Sequence, residues 1–188
     1  MAESKGVHTR EKLLEAANRL VREQGVNRLT MDAVAREAGV SKGGLLYHFA
    51  SKEALIQGMI DHLIHGYDRR LDSATKGENR PGEWLRAFVL ATDWGKTHAD
   101  RTGALLAAAA SNPELLDPVR RRYRAWQERL EQEGNDPAMA TIIRLAADGL
   151  WFADLFGLAP PEGRFREEVI RRMLQLLEQS GSTEKKDP

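Results

Sequence analysis

The chain has 188 residues, 41% hydrophobic and 30% charged, with Lys and Arg balancing Asp and Glu to a formal net charge of zero at pH 7. That length and mixture suit one ordinary globular domain, or a small head on a larger body, and the neutral total gives no case by itself for a polyanionic partner. The absence of cysteine excludes disulfides and a thiol nucleophile, and no run approaches 18 consecutive apolar residues, so no membrane partner is expected.

Met1 to Arg10 is polar and lacks the apolar core of a signal peptide, which points to a cytoplasmic protein. No proline occurs in residues 1–80, leaving long helices unbroken. Leu13, Leu14, Ala17, Leu20 and Val21 recur at helical spacing. Thr9 is the expected N-cap of that helix and Gly25 its stop. A short helix is predicted after the candidate cap Thr30, with Met31, Val34, Ala35 and Ala38 as its apolar positions. Gly39 then supplies a turn residue that tolerates positive φ. Ser41 is expected to cap a third helix ending near Phe49. Ser51 is expected to cap a fourth, with Glu53 in its electropositive first turn and Leu55, Met59, Leu63 and Tyr67 on its packed face.

Lys76 to Gly82 reads as a loop. Further helices are predicted near 82–98, 101–110, 113–132, 137–157 and 163–179, broken at Asp100, Asn112-Pro113, Gly134 to Pro137 and Ala159-Pro160-Pro161. The fold class is therefore all-α. Residues 1–50 form an N-terminal three-helix head containing a helix-turn-helix. Residues 51–180 are expected to form a larger helical regulatory and dimerisation body, with helix 51–72 connecting the two, and 181–188 a flexible tail.

The two short helices Thr30 to Ala38 and Ser41 to Phe49 meet across Gly39-Val40, which suits a helix-turn-helix. The second would lie in the major groove of DNA. Lys42, Tyr47, His48 and Lys52 surround it with donors for phosphates and base edges. The first fifty residues hold eight Lys or Arg against six Asp or Glu, so placement rather than net charge carries this reading.

The continuous run from Leu29 to Leu55, LTMDAVAREAGVSKGGLLYHFASKEAL, resembles the TetR family of bacterial transcriptional regulators. The resemblance covers roughly residues 8–55, and the rest of the chain is similar to the family only in length and helical content. It implies a DNA-binding head, a larger helical body, a homodimer, and repression relieved when a small molecule enters the body. Thr30 matches a threonine that commonly touches phosphate. Ser41 and Lys42 match the start of the recognition helix, Tyr47 and His48 a backbone-contacting pair near its end, and Lys52 a phosphate ligand. Gly39, Val40, Leu45, Phe49 and Leu55 match structural positions.

Two residues depart from the commoner pattern: Gly44 stands where a threonine or similar donor often occurs, and Leu46 where many members carry tyrosine. The pair Gly43-Gly44 also weakens helix propensity by about 1 kcal/mol per glycine relative to alanine. Close backbone approach to DNA and firming of the helix on DNA are both open. The DNA-binding candidates are Thr30, Ser41, Lys42, Gly43, Gly44, Tyr47, His48 and Lys52. The alternatives are a core-covering role for Tyr47, an ordinary exposed one for His48, and a merely solubilising one for the lysines.

In the body, aromatic residues are concentrated and compatible with an internal pocket for a mostly apolar small molecule. The candidate ligand-binding residues are Trp84, Phe88, Trp94, Leu105, Tyr123, Trp126 and Trp151, with Asp148 for a polar ligand group. Core packing is the alternative for each aromatic, and an exposed carboxylate for Asp148. Arg120 to Arg124 adjoins Glu128, Glu131 and Glu133, so that run reads as a solvated charged face.

For dimerisation, Ile142, Ile143, Leu145, Ala146, Leu150, Trp151 and Leu155 offer one apolar surface. Val169, Ile170, Met173, Leu174, Leu176 and Leu177 offer another, so the last two helices of each subunit would build a four-helix interface. An enzyme is not expected. His98 beside Asp100 is a superficial acid–base pair, and neither a phosphate-cradling glycine loop nor a dense metal-ligand pattern accompanies it. No cofactor or metal is expected. The functional expectation is a sequence-specific DNA-binding regulator, a repressor released by a small effector; the alternative is a ligand-independent DNA-binding protein or activator.

Overall fold

The computed structural model describes residues 2–75, 81–91, 108, 111–133 and 136–181. Among these residues every regular element is helical. They are α1 (Ala2–Gln24), α2 (Met31–Ala38), α3 (Lys42–His48), α4 (Lys52–Thr75), α5 (Glu83–Ala91), α6 (Asp117–Gln132), α7 (Pro137–Phe156) and α8 (Gly163–Ser180). Short 3₁₀ turns occupy Val26–Arg28 and Pro113–Leu116. None of these helices is long and apolar enough to cross a membrane. The chain divides into two compact units, Met1–Gly66 with Thr97–Arg121, and Tyr67–Lys96 with Arg122–Pro188.

In the first unit, the predicted apolar face of α1 is buried at Leu13, Leu14, Ala17, Leu20 and Val21. It packs with Val34 and Ala35 of α2, Leu45 of α3, and Leu55, Ile56, Met59 and Ile60 of α4. Each of the larger aliphatic side chains contributes about 1.5–3 kcal/mol by leaving water. The packed face of α4 is wider at this end than the sequence expectation, and Leu63 is only half-buried. Gly58 is a structural position that sequence reading passed over. A Cβ there would stand 2.5 Å from Cε1 of Phe49, so the missing side chain lets Phe49 seat directly on α4.

Thr9 is not a cap. Helix-forming residues such as Glu3 and Lys5, with no proline nearby, extend α1 back to Ala2 and leave Thr9 inside it. Gly25 does end α1, with φ of 82°. Helix α4 runs to Thr75, three residues past the predicted 72. The segment predicted as helix from 113 begins as a 3₁₀ turn. The Asn112 side chain accepts from Glu114 N at 2.9 Å, and Leu115 N donates to Asn112 O at 3.0 Å, which tightens the entry before α6. Ala108 is helical. The rest of the expected 101–110 helix, residues 92–98 of the next one back, His98 and Asp100 lie outside the described residues.

In the second unit, α5 is central: Trp84, Leu85, Ala87, Phe88, Val89 and Ala91 are all buried, so it is enclosed nearly all round. It packs against α7 and α8. The inward stripe of α7 is Ala140, Ile143, Ala147 and Leu150, and that of α8 is Ile170, Met173 and Leu177. This divides the surfaces expected for dimerisation. Ile143, Leu150, Ile170, Met173 and Leu177 turn into their own core, because α7 is apolar on two faces and one must cover α5. Ile142, Leu145, Ala146, Gly149, Phe152 and Phe156 form the other, exposed face, at the spacing of one helical stripe.

Candidate nucleic-acid interface and ligand cluster

The turn between α2 and α3 is built from local rules. Thr30 Oγ1 accepts from Ala33 N at 3.2 Å and caps α2. Gly39 takes the left-handed conformation, φ 66°. Its N–H donates to Arg36 O at 3.1 Å while Val40 N donates to Ala35 O at 3.0 Å, satisfying the last carbonyls of α2. Ser41 Oγ then accepts from Gly44 N at 3.0 Å and starts α3. Ser51 Oγ accepts from Ala54 N at 3.1 Å and starts α4, and with it the adjoining backbone N–H holds the Glu53 carboxyl below its usual range.

Leu45 and Phe49 anchor α3 and its exit in the core, and the guanidinium of Arg10 lies 5.3 Å from the centre of the Phe49 ring. With Leu45 inward, helical geometry turns Gly43, Leu46 and Tyr47, at i, i+3 and i+4, to the opposite side. Tyr47 is 85% exposed and Leu46 42% exposed, so Tyr47 does not cover the core. Its ring meets His48 edge-on at 5.1 Å. Gly43 is exposed, and a Cβ there would meet nothing within 4 Å; at Gly44 it would meet Ser41 Oγ at 3.3 Å.

Lys42 is held rather than loose: its Nζ lies 3.0 Å from Asp32 Oδ1 on α2, both side chains being exposed. Asp32 escaped the sequence reading, because a pairing across ten residues and a turn leaves no periodic signal. Lys52, by contrast, is half-buried and makes no ion pair among the described residues. Thr30, Ser41, Lys42, Gly43, Gly44, Tyr47, His48 and Lys52 thus fall on the two short helices, their caps and the start of α4.

Of the ligand candidates, Trp84, Phe88, Tyr123 and Trp126 come together. The Trp126 ring lies 6.1 Å from Trp84, 5.6 Å from Phe88 and 4.9 Å from Tyr123. Tyr67, placed on a packing face by its sequence spacing, joins this cluster 5.2 Å from Trp126 and 5.7 Å from Phe88. Arg122 and Arg129 stand over the Trp126 and Trp84 rings at 5.6 and 5.3 Å. Trp151 is partly exposed and is not among these rings. Trp94 and Leu105 lie outside the described residues.

Asp148 reaches the edge of the cluster. Tyr123 Oη donates to its Oδ1 at 3.1 Å and Arg144 Nη1 to its Oδ2 at 2.7 Å. Arg144 Nε donates in turn to Gln127 Oε1 at 3.0 Å. Burial raises the Asp148 carboxyl above its usual range against the opposing charge of Arg144. Burial, with the charge of Asp148, also holds the Tyr123 hydroxyl far from ionising. Two buried polar atoms here lack a hydrogen-bond partner among the described residues: Trp126 Nε1 and Glu133 Oε2.

Residues 13–59 match the family described as bacterial regulatory proteins, tetR family, and residues 82–178, more than half the chain, match the tetracyclin repressor-like C-terminal domain. The chain is 29% identical over 164 residues to the HTH-type transcriptional regulator BetI of Brucella canis, spanning 81% of this chain and 83% of that protein. Its fold is similar to that of a transcriptional regulator of Rhodococcus sp. Rha1, with a TM-score of 0.72, 21% identity, and coverage of 93% of this chain and 98% of that one. It is also similar to the multidrug binding protein EbrR complexed with imidazole, with a TM-score of 0.55, 27% identity, and coverage of 87% and 93%.

Proposed function

The chain belongs to the tetR family of bacterial regulatory proteins and is a DNA-binding transcriptional regulator, and from that premise we propose how its residues divide the work. Helix α3 enters the major groove with its outward face of Gly43, Leu46 and Tyr47. Thr30, Ser41, Lys42, His48 and Lys52 position it on the phosphates on either side. The observation that carries this reading is the side-chain arrangement of α3, with Leu45 locked in the core and an 85% exposed Tyr47 opposite.

The protein acts as a repressor, in the cytoplasm and without catalysis. An effector enters the second unit beside the Trp84, Phe88, Tyr123 and Trp126 rings and lowers operator affinity. The unpartnered Trp126 Nε1–H supports this placement, since a buried donor without an acceptor costs about 1–3 kcal/mol that a ligand acceptor recovers. EbrR, a structural relative, is described with a small molecule bound. Residues of α4 belong to both units, so a displacement of its later turns is passed along one continuous helix to the turn that Ser51 caps. The protein works as a homodimer through the exposed face of α7 with α8, since two heads must meet successive major grooves roughly 34 Å apart.

A salt series with random duplex DNA and with selected sites tests the DNA contacts. Lys52→Ala is expected to weaken both alike and to reduce the slope of log affinity against log salt by about 1. An unchanged slope with lost selectivity would assign Lys52 to base reading instead. For the effector, linkage requires that operator-bound protein bind it more weakly by the factor by which it weakens operator binding; equal affinity for the two forms refutes the release mechanism for that compound.

A further inference from the structure

Apart from the Tyr47 hydroxyl, the outward face of α3 is poor in hydrogen-bonding groups. Gly43 and Gly44 have no side chain, Lys42 is paired with Asp32 at 3.0 Å, and Ser41 Oγ is occupied in capping Gly44 N at 3.0 Å. What the face does present is Leu46, 42% exposed, one turn from the bare, exposed backbone of Gly43 and next to Tyr47. Leu46 has no role in the core cluster of its unit. An exposed leucine alone carries little meaning, but here it lies at i+3 from a helical glycine with open space around it. With no Cβ at Gly43, the helix backbone can sit closer to the floor of a groove, and closer approach brings the Leu46 methyl groups to the base edges.

Base edges in the major groove offer one methyl group, the C5-methyl of thymine; apart from small C–H edges, the other features there are donors or acceptors. A leucine cannot satisfy a donor or acceptor, and placing it against one strips water without replacement. We propose that Leu46 is a specificity-determining residue that reads the C5-methyl group of a thymine in each operator half-site, with Gly43 providing the close approach this contact needs. This rests on the reading that α3 enters the major groove. Selectivity at that base pair is for a methyl group and not for a hydrogen-bonding pattern.

The test uses the full-length protein and a random-sequence duplex library. Sites enriched by the wild-type protein are synthesised with each thymine replaced in turn by deoxyuridine, which removes the methyl and leaves the pairing and groove acceptors unchanged. Wild type is expected to lose about fourfold in affinity at one thymine per half-site, the worth of burying one methyl-sized group. Leu46→Ala and Leu46→Gln are expected to bind the thymine and deoxyuridine sites equally, with thermal unfolding unchanged because the side chain is outside the core. If no thymine shows the loss, or if both variants retain the full wild-type loss, the proposal is overturned while the DNA-binding reading stands. If wild type enriches no sequence at all, the groove-reading role of α3 fails, and this proposal with it.

Discussion

Gly43 sits in a helix, yet nothing lies within 4 Å of where its Cβ would be. Gly43→Ala is therefore expected to stabilise the protein by about 1 kcal/mol, through helix propensity and a less disordered unfolded chain, while weakening operator binding by holding the backbone away from the bases. Thermal unfolding and DNA titration of the same variant measure the two effects, and stability and affinity rising together would refute the close approach. Glu133 makes the opposite case, a side chain with too little around it. Its side chain is 15% exposed, Oε2 has no partner, and burial raises its pKa while Arg129 only partly offsets this.

With that pKa raised, the folded protein holds a proton that the unfolded chain releases at the ordinary glutamate value. Stability should accordingly fall as pH rises from that value through the folded pKa. Glu133→Gln is expected to flatten that slope and raise the melting temperature at pH 7; a pH series of thermal melts on both proteins decides it. The caps at Thr30, Ser41 and Ser51 were readable in sequence because a cap acts over three residues. The Lys42–Asp32 pair and the orphaned Trp126 Nε1 were not, because each depends on where one helix lands on another.

Among the elements, Phe49, the residue that ends α3, sits directly on α4. A methyl group at Gly58 would stand 2.5 Å from Phe49 Cε1, and the ring is part of the buried core. Gly58→Ala should gain about 1 kcal/mol of helix propensity and lose more than that through overpacking, which typically costs 1–3 kcal/mol. It should also shift Phe49, and with it α3, so that DNA affinity falls beyond the change in stability. Adding Phe49→Leu makes room for the methyl. Partial recovery of the melting temperature in the double variant, above the sum of the single effects, is the expected signature, and strict additivity counts against the contact. Most helices could be placed from apolar spacing and the Gly and Pro breaks. The start of α1 could not, since Thr9 suits a cap and an interior equally and only the residues before it decide. Nor could the 3₁₀ entry at Pro113, which turns on the two hydrogen bonds that Asn112 accepts.

At the scale of the molecule, the exposed stripe Ile142, Leu145, Ala146, Gly149, Phe152 and Phe156 is the face through which the proposed dimer would form. The Phe152 and Phe156 rings already meet at a tilt, 4.6 Å between centres. Sedimentation of the wild type at micromolar concentration is expected to give twice the 21.1 kDa chain mass. Leu145→Asp with Phe152→Asp should give the single-chain mass, leave the helical spectrum intact and abolish tight operator binding. A double variant that stays dimeric assigns the interface to another face. The sequence could show that α7 and α8 were apolar enough for a partner, but not which residues would meet it. When both faces of a helix are apolar, periodicity cannot say which is turned inward; the burial of α5 decides.

The ion pair between Lys42 and Asp32 has a consequence for how long the protein takes to find its target. A chromosome offers on the order of 10⁶–10⁹ competing sites, and a reader of DNA spends most of its life on the wrong ones. On the proposed phosphate role of Lys42, every phosphate, at right and wrong sites alike, must compete with Asp32 for it. An exposed pair is worth only about 0.2–1 kcal/mol, but that small toll is levied at every stop. The correct site outweighs it with base contacts that the wrong ones lack. A protein carrying Asp32→Asn would therefore stay longer at every stop, right or wrong, and would search more slowly while its preference for the operator stayed the same.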